Sequence, residues 1–231
     1  MSGSIWSRSR ATAATGRPAQ RTREEIVAAA ITVAEKDGLA AATMRRVGAE
    51  LGTGAASLYR HLETRDDLLD LMIDHVLASY EPPAITGDPG EDVVCDLVAR
   101  LRFVRPRPWL VDAMDVRAGI SPERIRLIEL SLARLAPHPA DGPVKLGAIG
   151  VLAGMVNTQA RHEREGGALD PGVAQAQMEL LRRLADDGPH PHLARALGEP
   201  GTAEAESPDT RFACVLRRVL DGLLDPGLGR E

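Results

Sequence analysis

Between Thr22 and Tyr80 the chain carries four amphipathic helical patterns, each short and each closed by a glycine or a fresh capping residue. In the first, Thr22 followed by Glu25 is a capping-box pattern, and Ile26, Ala30, Val33 and Ala34 fall on one face of a helix that stops at Gly38. Thr43 caps a second helix of about nine residues, in which Met44, Val47, Gly48 and Leu51 recur at helical spacing until Gly52 breaks the pattern. After the turn Gly52-Thr53-Gly54 a third runs from Ala55 to Leu62. Thr64 then caps a fourth, whose Leu69, Met72, Ile73, Val76 and Tyr80 share a face. Isolated helices below about 12 residues are marginal in water, so these segments must pack on one another.

The rest of the chain continues in the same class. Helices are expected near 91–104, 107–117, 121–136, 143–165, 171–187 and 208–225. Ser121-Pro122 and Asp170-Pro171 are good starts, because a capping side chain precedes proline at the first helical position. Residues 186–209 are rich in proline, glycine and acids and read as a loop holding one short helical turn. With no strand alternation and no long-period repeat, the fold class is all-α with roughly ten helices. Residues 1–20 lack periodicity and read as a disordered basic arm, 21–66 as the short-helix domain, and 67–231 as a larger helical domain.

The second and third helices with their glycine turn form a helix-turn-helix, in which the second helix of the pair enters the major groove of DNA. A glycine inside a helix costs about 1 kcal/mol against alanine, and closer approach of the third helix is one benefit that offsets it at Gly48. Gly52 and Gly54 allow unusual dihedrals in the turn. Leu58 and Leu62 face inward, leaving Ala55, Ala56, Ser57, Tyr59, Arg60 and His61 outward. Small residues at the leading end let the backbone approach bases, and the polar ones can donate to phosphates or base edges. Tyr59 is expected at the groove rim, its ring against the fourth helix and its hydroxyl on a phosphate, with Arg60 toward base edges or the opposite strand. Thr43 and Arg45 start the second helix, where an anion is favoured, and Arg65 suits an anion at the first turn of the fourth. Charge agrees: residues 1–65 hold ten Lys and Arg against six Asp and Glu, whereas the whole chain carries a net −5. A solvated surface with Tyr59 plugging the core is the alternative for any one of these residues taken alone.

The stretch from Glu24 to Leu77, EEIVAAAITVAEKDGLAAATMRRVGAELGTGAASLYRHLETRDDLLDLMIDHVL, resembles throughout the DNA-binding domain of the TetR family of transcriptional regulators. The matching positions are Ala28-Ala29, Gly38, Thr43-Met44-Arg45, Leu51-Gly52, Leu58-Tyr59-Arg60-His61 and Arg65-Asp66-Asp67-Leu68-Leu69. The resemblance implies phosphate contacts from Thr43, Tyr59, His61 and Arg65, and base reading by Arg45, Ala55, Ala56, Ser57 and Arg60. Ala55 and Ala56 stand where tetracycline repressors have longer polar side chains, so fewer bases are read by hydrogen bonds.

Ser121-Pro122, the glycine-rich KLGAIGVLAGMVNTQARHERE and the closing RFACVLRRVLDGLLD are similar in order and spacing to the C-terminal domain of the tetracycline-repressor type. That likeness implies a homodimer whose glycine-rich and last helices pair with their copies in a four-helix bundle. Gly147, Gly150 and Gly154 form a smooth stripe, and Phe212, Leu216, Val219, Leu220 and Leu223 an apolar one; packing inside one subunit accounts for both almost as well. It also implies a small-molecule pocket between the fourth and glycine-rich helices, with Tyr80, Trp109, Met114, Arg117, Ser131 and Asn157 as candidate lining. Arg117 stands where tetracycline repressors carry a metal-ligand histidine, so neither a metal nor magnesium-tetracycline is expected. The implied function is a ligand-responsive regulator, a repressor by family default, that binds a palindromic double-stranded DNA operator and is released by an effector.

Other classes find less support. No G-x-S-x-G, P-loop or H-E-x-x-H occurs, and His162 in HERE lacks a second histidine, so no enzyme and no cofactor are expected. Cys95 and Cys214 suit neither a disulfide framework nor zinc. No apolar run is long enough to span a bilayer and no secretory signal leads the chain, which points to a soluble cytoplasmic protein. A helix-turn-helix protein acting through protein contacts alone is the remaining rival.

Overall fold

The computed structural model describes residues 5–6, 22–117, 119–167, 171–198 and 207–225. Among them are eleven α-helices, one short 3-10 turn and no strand. The front of the chain forms α1 (Arg23–Asp37), the 3-10 turn Leu39–Ala41, α2 (Met44–Glu50) and α3 (Ala55–Leu58), followed by α4 (Arg65–Leu77). Local chemistry sets these boundaries. Thr22 and Glu25 close a full capping box, Thr43 Oγ1 accepts from Arg46 N at 3.2 Å, and Thr64 with Asp67 closes a second box. Of the expected N-terminal arm only Ile5 and Trp6 fall within the described residues, and they pack against the hydrophobic core instead of lying apart from it.

Beyond α4 come α5 (Pro89–Val104), α6 (Pro108–Val116), α7 (Pro122–Arg134), α8 (Gly142–Gly167), α9 (Pro171–Asp187), α10 (Pro191–Gly198) and α11 (Pro208–Leu224). Ser121 caps α7 ahead of Pro122 as expected, whereas Asp170 lies outside the described residues. The helical turn expected in the 186–209 loop extends to an eight-residue helix, α10, which packs on α9.

Helices α5, α8 and α11 pack together as the centre of the helices beyond α4, with α6 and α7 closing on α8. Of the apolar stripe of the last helix Phe212, Leu216 and Leu220 are buried and Val219 is half-buried, and only Leu223 is exposed, at 38%. Leu224 is also buried within the subunit, while Val215, outside the stripe, is 48% exposed. Gly147, Gly150 and Gly154 face open space in the single chain. On α9 Val173, Leu180, Leu181 and Leu184 are exposed, so this helix leaves an apolar face uncovered. No helix among the described residues is long and apolar enough to cross a membrane.

Candidate nucleic-acid interface and ligand cavity

The approach of α2 to the turn after it depends on Gly48. A Cβ at that position would lie 2.9 Å from Thr53 O and 3.2 Å from Ala55 N. The glycine therefore makes room for the turn backbone, and for α3 only at its first residue. Gly52 has φ +67, in the left-handed region that favours glycine, and Thr53 N donates to Gly48 O at 2.8 Å. Gly54 departs from expectation: it has φ −79 and caps α3 in an extended conformation open to any residue. The third helix is shorter than its pattern suggests, since Tyr59 to Leu62 continue as hydrogen-bonded turns with His61 N on Leu58 O at 2.8 Å.

Leu58 and Leu62 are buried, and Thr43, Arg45, Ala56, Tyr59 and Arg60 are exposed on the same motif. Ala55, Ser57 and His61 are half-buried, and Ala55 packs against the core, which limits it to a small backbone-proximal contact. Tyr59 is 52% exposed, so it is not a core plug, and it borders a cleft together with Leu71 and His75 of α4. Arg60 Nη2 donates to Ser57 Oγ at 3.0 Å, which aligns the two polar groups on one surface. Arg23 Nη2 holds His61 O at 3.1 Å. Arg46 pairs with Asp37 and Glu50, whereas its neighbour Arg45 makes no ion pair among the described residues. Thr43 keeps its hydroxyl hydrogen available while its oxygen caps α2.

Arg65 lies differently from the expected phosphate contact. Its Nε donates to Ala42 O at 3.1 Å and its Nη2 to Leu39 O at 2.9 Å. The physical reason is the 3-10 turn: Leu39 O, which also accepts from Ala42 N at 3.1 Å, and Ala42 O just beyond the turn lie close enough for one guanidinium fork to reach both.

The second domain contains a cavity of about 290 Å³ between α4, α5, α7 and α8. Tyr80, Met114 and Asn157 line it as expected, together with Phe103, Arg100 and Arg124, which the sequence reading missed. Phe103 stacks edge-on to Tyr80, with centroids 5.3 Å apart and planes at 74°. The other three candidates lie elsewhere. Trp109 is buried away from the lining, and its Nε1 has no hydrogen-bond partner among the described residues. Ser131 sits one layer behind the wall, accepting from Arg100 Nη2 at 2.9 Å. Arg117 turns toward α4, where its Nε and Nη2 bind Asp70 at 2.8 and 2.6 Å and its Nη1 reaches Asp66 at 3.0 Å. Two carboxylates one helical turn apart offer a bidentate partner that an apolar cavity does not, and hydrogen bonding to Asp70 raises the Arg117 pKa.

Behind the cavity wall lies a buried polar cluster. Asp96 Oδ1 accepts from the Tyr80 hydroxyl at 2.7 Å, and Oδ2 accepts from Arg100 Nη2. Arg134 Nη2 lies 3.9 Å from Asp96 Oδ1 and donates to Pro83 O at 3.0 Å. Burial, and then the Asp96 charge, push the Tyr80 hydroxyl well above the ordinary phenol range, so it remains a donor. The available sequence signal was the i, i+4 pair Asp96 and Arg100 inside the apolar run Val93, Val94, Leu97 and Leu101.

Helix α4 connects the two sites. It packs on α1 at the head and on α6 and α7 in the second domain, and Leu77 and Tyr80 beyond its end line the cavity. Besides the Arg117 bridge, Glu123 N donates to Asp74 Oδ1 at 2.9 Å and Arg126 Nη2 to Leu77 O at 3.0 Å.

Comparison with known proteins agrees with this two-part arrangement. The profile of bacterial regulatory proteins of the tetR family matches residues 26–72, and that of the tetracyclin repressor-like C-terminal domain matches residues 99–225. The HTH-type transcriptional repressor DrrR1 of Streptomyces coeruleorubidus is 35% identical over 212 residues, covering 87% of this chain and 77% of its own. ActR of Streptomyces coelicolor, solved in complex with actinorhodin, superposes with a TM-score of 0.74 at 28% identity over 91% of this chain and 99% of its own. A BioQ solved with its double-stranded DNA operator shares the fold, with a TM-score of 0.58 at 19% identity over 77% of this chain and 98% of its own. Two profile matches that together span most of the chain, and a repressor relative of this identity and coverage, lead to one conclusion: the chain belongs to the TetR family of bacterial transcriptional regulators.

Proposed function

We propose that the protein is a ligand-responsive repressor that binds a palindromic operator as a homodimer and releases it when a small molecule fills the cavity. The observation that carries this reading is α4, a single helix packed on the DNA-reading head at one end and leading into the cavity wall at the other. A ligand that favours one setting of α4 shifts the spacing of the two heads, and operator release and effector binding are then reciprocal. Repression by DrrR1, actinorhodin in ActR and operator in BioQ support the three parts of the reading. Footprinting on DNA flanking the coding region, followed by anisotropy titration of the protected duplex, tests it. Failure to bind any duplex at low ionic strength sinks it.

In this reading Thr43, Arg45, Ala56, Ser57, Tyr59, Arg60 and His61 meet the DNA, while Arg65 braces the connection between α1 and α2. Arg45→Ala is expected to lower the slope of log affinity against log salt by about one per subunit, because each cation placed on the duplex displaces condensed counterions. Arg65→Ala leaves that slope near wild type and lowers the melting temperature instead. An equal loss of slope in both variants returns Arg65 to the phosphates.

Homodimerisation through α8 and α11 is supported by surface that the single chain leaves uncovered. Val151, Gly154, Met155 and Val215 border a shallow groove between these helices. Val215→Glu places a charge without a partner in that interface and is expected to raise the dimer dissociation constant by at least about 100-fold. Sedimentation analysis of the variant reads this directly, and an unchanged dimer removes α11 from the interface.

A further inference from the structure

The cavity combines an apolar wall with charge of one sign. Its lining includes Arg100 and Arg124 and no Asp or Glu. Arg100 is 9% exposed, and its hydrogen bonds all leave from Nη2, to Asp96, to Leu127 O at 2.9 Å and to Ser131 Oγ at 2.9 Å. No carbonyl or carboxylate among the described residues accepts from its Nη1, its buried Nε has no partner there, and its guanidinium also approaches the Tyr80 hydroxyl. Asp96, its ion-pair partner, is also approached by Arg134 and already accepts from Tyr80, so Arg100 shares its carboxylate, while Asp92 acts on Arg134 from further away.

Arg124 is less well balanced still. Its Nη1 donates to Gly119 O at 2.6 Å and its Nη2 to Arg117 O, both neutral carbonyls, and no carboxylate lies within ion-pair distance among the described residues. Burial pulls its pKa below the ordinary guanidinium value, against the pull of Asp70. Asp70 and Asp74 act on it only from beyond ion-pair distance and are already engaged by Arg117 and by Glu123 N, and Arg117 opposes them. A half-buried cation so incompletely balanced is costly, and a ligand that brings a carboxylate into contact lowers the cost.

Resting on the reading of this cavity as the effector site, we propose that the effector is an amphiphilic organic anion. Its apolar body fills the space between Tyr80, Phe103 and the backbone of α8 at Gly150 and Gly154, and its acidic group, a carboxylate or an ionised phenol or enol, accepts from Arg124 and from Arg100 Nη1. A neutral isostere leaves the guanidiniums unmet and a cationic ligand is repelled, so charge becomes the main discriminator at equal shape. The chain as a whole carries a net −5, which opposes anions at long range, so any preference for an anion must arise at the cavity itself.

Calorimetric titration of the full chain with anthraquinone-2-carboxylate and anthraquinone-2-carboxamide tests this at nearly constant shape. The carboxylate is expected to bind at least about tenfold more tightly. Arg124→Gln brings the acid to the level of the amide, and Arg124→Lys, which keeps the charge, retains most of the preference. Equal affinity of the two probes for the wild-type protein overturns the anion proposal while leaving the cavity as a ligand site. A preference that survives Arg124→Gln overturns the role of Arg124. Failure of both probes to bind overturns both this proposal and the cavity reading beneath it, and binding of the carboxamide alone overturns the anion proposal.

Discussion

Asp96→Ala is expected to lower the unfolding free energy by about 3–5 kcal/mol, the cost of removing one partner from a buried ion pair. Asp96 is fully buried, accepts from the Tyr80 hydroxyl at 2.7 Å and from Arg100 Nη2, and lies 3.9 Å from Arg134 Nη2. Its loss leaves two guanidiniums in the interior, each already carrying an Nε without a partner among the described residues. For a chain of this length a loss of that size lowers the melting temperature by about 10 °C. Asp96→Asn keeps an acceptor for Tyr80 and loses the charge, so it falls between the two. Denaturant titration distinguishes the cases, and a loss under about 1 kcal/mol shows that water already satisfies Arg100 and Arg134. Because Tyr80 and Arg100 also line the cavity, the same substitution disorders the ligand wall, and probe affinity is expected to fall with stability.

Gly48→Val is expected to abolish operator recognition while leaving the second domain folded. The atoms that an added Cβ meets, Thr53 O at 2.9 Å, Ala55 N at 3.2 Å and Gly54 C at 3.3 Å, are all backbone, so no rotamer change relieves the contact. The turn must move, and α3 begins at Ala55. Alanine at the same position tests the balance more finely. It gains about 1 kcal/mol of helix propensity and meets overpacking of about 1–3 kcal/mol, so stability changes little or falls modestly. Valine adds branched bulk, and the displaced α3 loses several base and phosphate contacts together, worth at least about 100-fold in operator affinity. Anisotropy titration on the footprinted duplex measures this, with probe binding to the cavity as the control for folding. Operator affinity within about threefold of wild type shows that the turn tolerates the shift.

Features specified by neighbours in the chain are legible in the sequence. Thr22 with Glu25, Thr43, Thr64 and Ser121-Pro122 each cap the helix assigned to them, because a cap is a hydrogen bond across three residues and needs nothing distant. Leu58 and Leu62 were placed inward by periodicity alone, and they are buried. Gly52 adopts the positive φ that its turn requires, although Gly54 does not.

Long-range partners were not legible, and the departures share that cause. Arg65 was read against the anion its helix end favours, yet carbonyls 23 and 26 residues earlier in the chain receive its guanidinium. Arg117 was assigned to the cavity by its place before Pro122, but Asp66 and Asp70 draw it to α4. On α11 periodicity places Phe212, Leu216 and Leu220 on the buried face, but only the packing of α5 and α8 shows that Leu223 of the same stripe, and Val215 outside it, stay exposed among charged neighbours.

The division follows from the range of the forces. Helix boundaries, the head motif and the all-helical class come from capping, periodicity and turn dihedrals, which act over three or four residues and can be read in order along the chain. Which charges are satisfied, where the cavity opens and which apolar face stays uncovered depend on groups brought together from distant positions. Arginine shows this most plainly: its long side chain reaches whichever acceptor the packed helices place nearest, and that choice exists only once the fold has closed.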